Sequence, residues 1–211
     1  MRSARVYVMP HRDSASRRPP RELLQAMFEH ELLLHRRLFA ELEPLREGLC
    51  DAAVTMTRTL RSGGRLLLCG HGASAATCQQ VAAHFNGRLR RGHTDPAAMA
   101  IHAGAVALAA VTADDGFEQM VARPLLAHSR VGDCLVTLSV GPASDSVLQA
   151  MRTAREQGVP RIALLGRDGG ALAGLADIAI EVPTDDLARV HETHLFIGHT
   201  WCAQVEQALG R

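Results

Sequence analysis

Leu66-Leu67-Leu68-Cys69-Gly70-His71-Gly72-Ala73-Ser74-Ala75-Ala76-Thr77-Cys78-Gln79-Gln80-Val81-Ala82-Ala83-His84-Phe85 decides how this 211-residue chain folds. A short apolar run closed by glycine predicts a buried strand. Gly70 and Gly72 allow a sharp turn with no Cβ in the way. Ser74 then reads as the N-cap of an Ala-rich helix from about Ala75 to Phe85. Strand, turn and helix start aim free amides and a positive dipole end at one point, a setting for an anion such as phosphate. Two other readings of the turn stand beside this one. Gly70-x-Gly72-x-x-Ala75 loosely matches the dinucleotide fingerprint, but the next strand ends near Ile101-His102 without the acidic residue that holds a ribose. The other is a tight turn with no ligand.

Working outward, the length suits one α/β domain with added helices. A formal charge of +1 gives no electrostatic case for nucleic acid or an anionic membrane. Aromatic residues make up 3% of the chain, too few for base-stacking platforms. The five cysteines, Cys50, Cys69, Cys78, Cys134 and Cys202, lack CxxC spacing and read as reduced, mostly buried thiols of a cytoplasmic protein. The longest apolar stretch, 97–111, is broken by His102 and too short to span a bilayer. The basic N-terminus lacks the apolar core of a signal peptide.

Residues 1–20, rich in Arg, Pro and Ser, read as a disordered arm, and 21–211 as a single domain. Apolar residues at helical spacing from Leu23 predict a helix to about Glu43. A second begins at Pro44 and stops at Ser62-Gly63-Gly64. Their apolar faces call for a partner surface, with another subunit the candidate. After the organising stretch come a polar loop over 90–96, a strand near Ala98–His102 and a helix from Ala105. A turn over Ala113–Phe117 and a helix over Glu118–Ser129 follow. Asp133–Val140 reads as a strand, 145–157 as a helix and Arg161–Leu165 as a strand. Gly169-Gly170 reads as a turn, Asp177–Val182 as the last strand, and Asp186–Leu209 as the final helix. Strands alternating with helices at this spacing predict a three-layer α/β/α domain around a mostly parallel five-stranded sheet.

In such a sheet ligands sit beyond the carboxyl ends of the strands. Two small, hydroxylated turns occupy such ends, Gly70–Ser74 and Ser139–Ser144. Gln80 and His84 share one face of their helix, and His191 and His199 share one face of the last helix. Imidazoles on facing helices can build a site for zinc or a similar ion. Solvated histidines without a common partner fit the same spacing.

The chain resembles the sugar isomerase (SIS) fold and, within it, the phosphoheptose isomerases, which act on sedoheptulose 7-phosphate. The resemblance runs from about Arg21 to the C-terminus. Cys69-Gly70-His71-Gly72-Ala73-Ser74 stands where the family has CGNGGS. Gly132-Asp133-Cys134-Leu135, Gly166-Arg167-Asp168-Gly169-Gly170, Ala176-Asp177, Val182-Pro183 and Arg189-Val190-His191-Glu192-Thr193-His194 through His199 carry the rest. It implies a homotetramer with active sites built between subunits. It also implies a phosphorylated-sugar substrate and isomerisation to D-glycero-D-manno-heptose 7-phosphate through an enediol. Gln80, His84, His191 and His199 occupy the family's zinc positions, where it has His, Glu, Gln and His. His84 thus replaces a carboxylate base, so His84 and His199 are the candidate catalytic pair. Gly72, Ala73, Ser74, Asp114, Ser139, Ser144 and His191 are the candidate substrate and phosphate contacts. Ser139-Val140-Gly141-Pro142-Ala143-Ser144 replaces the family's STSGNS. A sibling group of this fold binds the bacterial replication initiator without known catalysis, and Ser74-Ala75-Ala76 resembles that group as well.

Overall fold

The computed structural model describes residues 19–88, 97–101 and 104–210. The polar loop expected over 90–96 and all of the expected arm but Pro19 and Pro20 lie outside the described residues. Helices α1 (Arg21–Ala40) and α2 (Arg46–Arg61) precede β1 (Leu66–Gly70) and α3 (Ala73–Ala83). Then come β2 (Ala98–Ala100), α4 (Ala105–Asp115), α5 (Gln119–His128), β3 (Cys134–Ser139) and α6 (Asp145–Glu156). The chain closes with β4 (Arg161–Leu165), the one-turn α7 (Gly170–Ala173), β5 (Ile178–Glu181) and α8 (Leu187–Ala208).

The five strands pair in the order β2-β1-β3-β4-β5, and every pair is parallel. The sheet expected to be mostly parallel is therefore wholly so. A parallel sheet is covered on both faces, so its strands are continuously apolar. Alternation along each strand sends side chains to opposite sides. Leu66, Leu68, Val136, Leu138, Ile162 and Leu164 meet Met56 of α2, Val81 of α3 and Ile197 and Trp201 of α8. Leu67, Cys69, Leu135, Ala163 and Leu165 meet Val121 and Leu125 of α5 and Val147 and Met151 of α6. These two cores make the expected three layers.

Two expected turns are helical. Ala113–Asp115 belong to α4, which ends only at Gly116, where φ is +92°. A glycine in that conformation stops a helix more effectively than two aspartates do. Gly170 opens α7 rather than a plain turn.

The motif residues Asp133 and Asp177 turn out to fasten the amino ends of strands. The buried Asp133 carboxylate accepts the backbone N–H groups of Arg65 and Arg130, at 2.8 and 3.0 Å, and pairs with the Arg65 guanidinium at 2.9 Å. That joins the starts of β1 and β3. Asp177 likewise accepts the Arg161 N–H at 2.8 Å and its guanidinium, joining β4 to β5.

Four of the five cysteines are buried, as expected, and Cys50 is exposed. Burial pushes the thiols of Cys69 up to about 11 and of Cys134 and Cys202 up to about 12, and raises Cys78 well above its usual value.

On α1 only Leu38 is buried, while Leu23, Leu24, Met27 and Phe28 stay exposed on the isolated chain. Phe39 of α1 meets Phe196 of α8 edge to face, ring centroids 5.0 Å apart, and polar contacts add to this. The buried Arg189 guanidinium donates to the Glu31 carbonyl at 2.9 Å and pairs with the carboxylates of Glu31 and Glu192, at 3.2 and 2.9 Å. His35 approaches the other Glu192 oxygen at 2.8 Å.

His194 is fully buried on α8 beside Val81, Phe85 and Trp201, and neither ring nitrogen has a hydrogen-bond partner of good geometry. Burial lowers its pKa from 6.5 to about 4, outweighing the opposing Leu165 backbone, with His191 a smaller lowering influence. The unfolded chain therefore takes up a proton below pH 6.5 that the folded chain refuses until about pH 4. Stability falls across that window, by about 3 kcal/mol at its acid end, since one pKa unit is worth about 1.4 kcal/mol. The variant His194→Leu is expected to lose less melting temperature than wild type between pH 7 and pH 4.5. An equally steep acid loss would place the acid-sensitive group elsewhere.

Candidate functional site

The strand order reverses at β1, which lies between β2 on one side and β3 on the other. Connections leave β1 and β3 toward opposite faces of the sheet, and a crevice opens between their carboxyl ends. The turns Gly70–Ser74 and Ser139–Ser144 border that crevice. Gly70 is where the turns are pressed together. A Cβ there would lie 2.9 Å from the Leu138 carbonyl oxygen and 2.9 Å from Ser74 Cβ. No residue other than glycine closes β1 in this way.

The expected N-cap moves by two residues. Gly72, at φ +59°, caps α3, and Ser74 lies inside the first turn. Ser74 N–H donates to the His71 carbonyl at 3.2 Å and Ala75 N–H to the Gly72 carbonyl at 3.0 Å. Glycine reaches this backbone conformation, which a serine would not adopt without strain, so the capping role passes to it. Ser74 is 2% exposed and its Oγ has no hydrogen-bond partner. A buried hydroxyl without a partner is uncommon and marks a place that a ligand or water completes.

The second turn holds its hydroxyls internally. Ser139 Oγ donates to the Gly141 carbonyl at 3.1 Å, and Ser144 Oγ shares a 3.0 Å hydrogen bond with Ser146 Oγ. Ser144 occupies the N-cap position of α6 but makes no side-chain cap. Ala73 is exposed at the start of α3, and Asp114 is exposed near the end of α4.

The histidines gather into one pair. His84 and His199 meet edge to face, ring centroids 4.9 Å apart at 78°. Each has a buried Nε2 without a partner. Gly198 makes the meeting possible, because a Cβ there would lie 2.5 Å from Val81 Cγ2. The missing side chain lets α8 lie close on α3. His199 is held below its usual pKa by burial and then by His84, and His191 is lowered by burial. Both are therefore neutral imidazoles near pH 7, with a lone pair free for a proton or a metal.

The remaining expected ligands stand apart from the pair. Gln80 is exposed one turn before His84. His191 precedes His199 by eight residues, about 12 Å of helix rise. Among the described residues no three His, Cys, Asp or Glu side chains gather into a group able to hold a metal. Eleven residues along its helical path, about 16 Å of rise, also separate His84 from the start of α3. Phosphate turn and imidazole pair are thus two places on one chain.

Sequence reasoning passed over three contributors. Ser146 has no signal beyond its serine neighbour. The ring contact between His71 and Phe117, 5.5 Å and nearly perpendicular, joins residues 46 positions apart and leaves no local pattern. Gly198 did leave one, since glycine inside a helix usually has a packing reason. The variant Gly198→Leu is expected to destabilise by about 1–3 kcal/mol through overpacking against Val81. It should also part the two imidazoles, seen as a rise in the His199 pKa by NMR. Unchanged stability and titration would refute the role given to that glycine.

Comparison with known proteins agrees with this geometry. The SIS domain family matches residues 34–166. The phosphoheptose isomerase of Rhodospirillum rubrum is 38% identical over 171 residues, covering 81% of this chain and 91% of that protein. That of Nitratiruptor is 36% identical over 186 residues, 86% of this chain and the whole of its length. The solved phosphoheptose isomerase of Neisseria gonorrhoeae superimposes with a TM-score of 0.82 at 33% identity, covering 87% of this chain and 99% of its own. With strand order, crevice and sequence in agreement, the chain belongs to the SIS domain family, among the phosphoheptose isomerases.

Proposed function

We propose that the protein is a phosphosugar isomerase interconverting sedoheptulose 7-phosphate and D-glycero-D-manno-heptose 7-phosphate. Near-complete coverage of phosphoheptose isomerases at 36–38% identity carries this reading. The phosphate sits over the first turn of α3, where the turn amides of Gly72 and Ala73 and the orphan Ser74 hydroxyl receive it. Ser139 and Ser144 frame the opposite wall of the crevice. His191, near the start of α8, and Asp114 stand on the sugar side.

Isomerisation moves a proton from C1 of the ketose to C2 of the aldose through an enediol. His84 and His199 are the paired imidazoles placed to take and return it, and burial holds His199 below its usual pKa. The same pair fits a divalent metal such as zinc, because two buried Nε2 atoms stand together without partners. Gln80, one turn before His84, and His191, about 12 Å of helix rise from His199, are the further donors that the ion would have to draw in. A metal held there would supply polarisation of the sugar carbonyl oxygen.

About 16 Å of helix lies between imidazole pair and phosphate turn, more than one extended heptose comfortably bridges. We infer that the working site joins the turn of one subunit to the imidazoles of another. The exposed stripe Leu23, Leu24, Met27 and Phe28 is the surface that a homotetramer would cover. Among the described residues no helix is long and apolar enough to cross a membrane, which fits the cytoplasmic setting we assign.

Two measurements test these readings. Light scattering at micromolar concentration is expected to give four chains per particle, and a single-chain mass would refute assembly. Wild type purified without chelator is expected to carry metal and turn over sedoheptulose 7-phosphate. His84→Ala and His199→Ala should lose both while keeping the particle mass. Binding of the sugar phosphate with no turnover, with or without added zinc, would favour a non-catalytic binding protein. The second serine turn, its hydroxyls already engaged, is the feature that such a protein would share.

A further inference from the structure

The two turns that border the crevice carry no fixed positive charge of their own. Neither the turn 70–74 nor the turn 139–145 contains Lys or Arg. Pro142 offers no amide, the hydroxyls of Ser139 and Ser144 are engaged within their own turn, and Asp145 brings a negative charge to the start of α6. The one side chain of these turns able to carry a positive charge is His71. It follows β1 directly, and its carbonyl is fixed by the Ser74 N–H at 3.2 Å. Its ring is exposed, and neither ring nitrogen has a protein partner among the described residues. Phe117 holds the ring in place edge to face, centroids 5.5 Å apart at 88°.

Phe117 is itself positioned by a turn that needs glycine. Gly116 is at φ +92°, and a Cβ there would press on the Glu118 carboxylate at 3.0 Å. The α4–α5 turn thus brings an aromatic edge to the mouth of the β1–α3 turn, three residues from the orphan, 2% exposed Ser74 hydroxyl. A perpendicular aromatic contact fixes ring orientation while leaving the imidazole nitrogens free to donate.

We propose that His71, steadied by Phe117, is a specificity-determining residue that donates a charge-assisted hydrogen bond to the phosphate of a phosphorylated sugar seated over Ser74. It does the work of the hydroxyls missing from the opposite turn. A hydrogen bond to an ionised oxygen is roughly twice as strong as a neutral one. The proposal rests on the phosphosugar reading of the crevice and names the group that recognises the anion.

The test is calorimetry with sedoheptulose 7-phosphate and with inorganic phosphate, alongside NMR of the His71 ring. Wild type should bind both, and saturation with either should shift the His71 ring resonances. His71→Ala is expected to weaken both ligands at least tenfold with melting temperature unchanged. Phe117→Leu should weaken them several-fold, and His71→Gln, which donates without charge, should fall between His71→Ala and wild type. Wild type that binds, joined by a His71→Ala variant within twofold of it or by unmoved His71 resonances, overturns the role of His71 and leaves the phosphosugar reading standing. Wild type that binds neither ligand overturns both.

Discussion

The reversal of strand order at β1 is the constraint on which the functional architecture depends. With β2 and β3 on its two sides, β1 sends the chain to one face of the sheet while β3 sends it to the other. The gap between those departures is fixed by topology, before any side chain is chosen. Gly70 then sets its floor, since β1 can end against Leu138 and Ser74 only without a Cβ. At the opposite end of the sheet, two aspartates accepting strand amides hold the strand starts in register. The molecule thus keeps the strand-joining carboxylates of Asp133 and Asp177 at one rim and the small turns after β1 and β3 at the other.

A second consequence concerns charge. Burial holds the imidazoles of His191 and His199 below their usual pKa, so both are uncharged near neutral pH. Imidazole nitrogens carry no negative charge when they ligate, so they would leave more positive character on an ion than a carboxylate does. The close packing of α3 on α8 that brings the pair together relies on the absence of one side chain, at Gly198. Site chemistry and helix packing are therefore the same fact seen at two scales.

Much of this was legible in the chain. Leu66–Gly70 is continuously apolar because both faces of a parallel strand are buried, and that run alone announces the sheet. Helices at 3.6-residue spacing were equally plain. What failed were cases where backbone geometry overrode residue preference. Ser74, a favoured cap, yielded to Gly72 because the turn needs a positive φ. Ala113–Asp115 stayed helical because Gly116 is the stronger stop. Spacing put Gln80 with His84 and His191 with His199, and only the family resemblance paired His84 with His199; the separation of His191 from that pair follows from helix rise. His71 with Phe117 left no trace, since contacts between distant turns have no period.

The distribution of thiols has a practical consequence. Four cysteines lie in the interior, each on a different element: Cys69 on β1, Cys78 on α3, Cys134 on β3 and Cys202 on α8. Their raised pKa values keep them protonated and unreactive while the layers hold together. Cys50 alone meets solvent, on α2. The folded chain should thus take one alkylating label and the unfolded chain five, with the intermediate counts reporting which layer has opened. Without any engineering, the protein is a tally of its own unravelling.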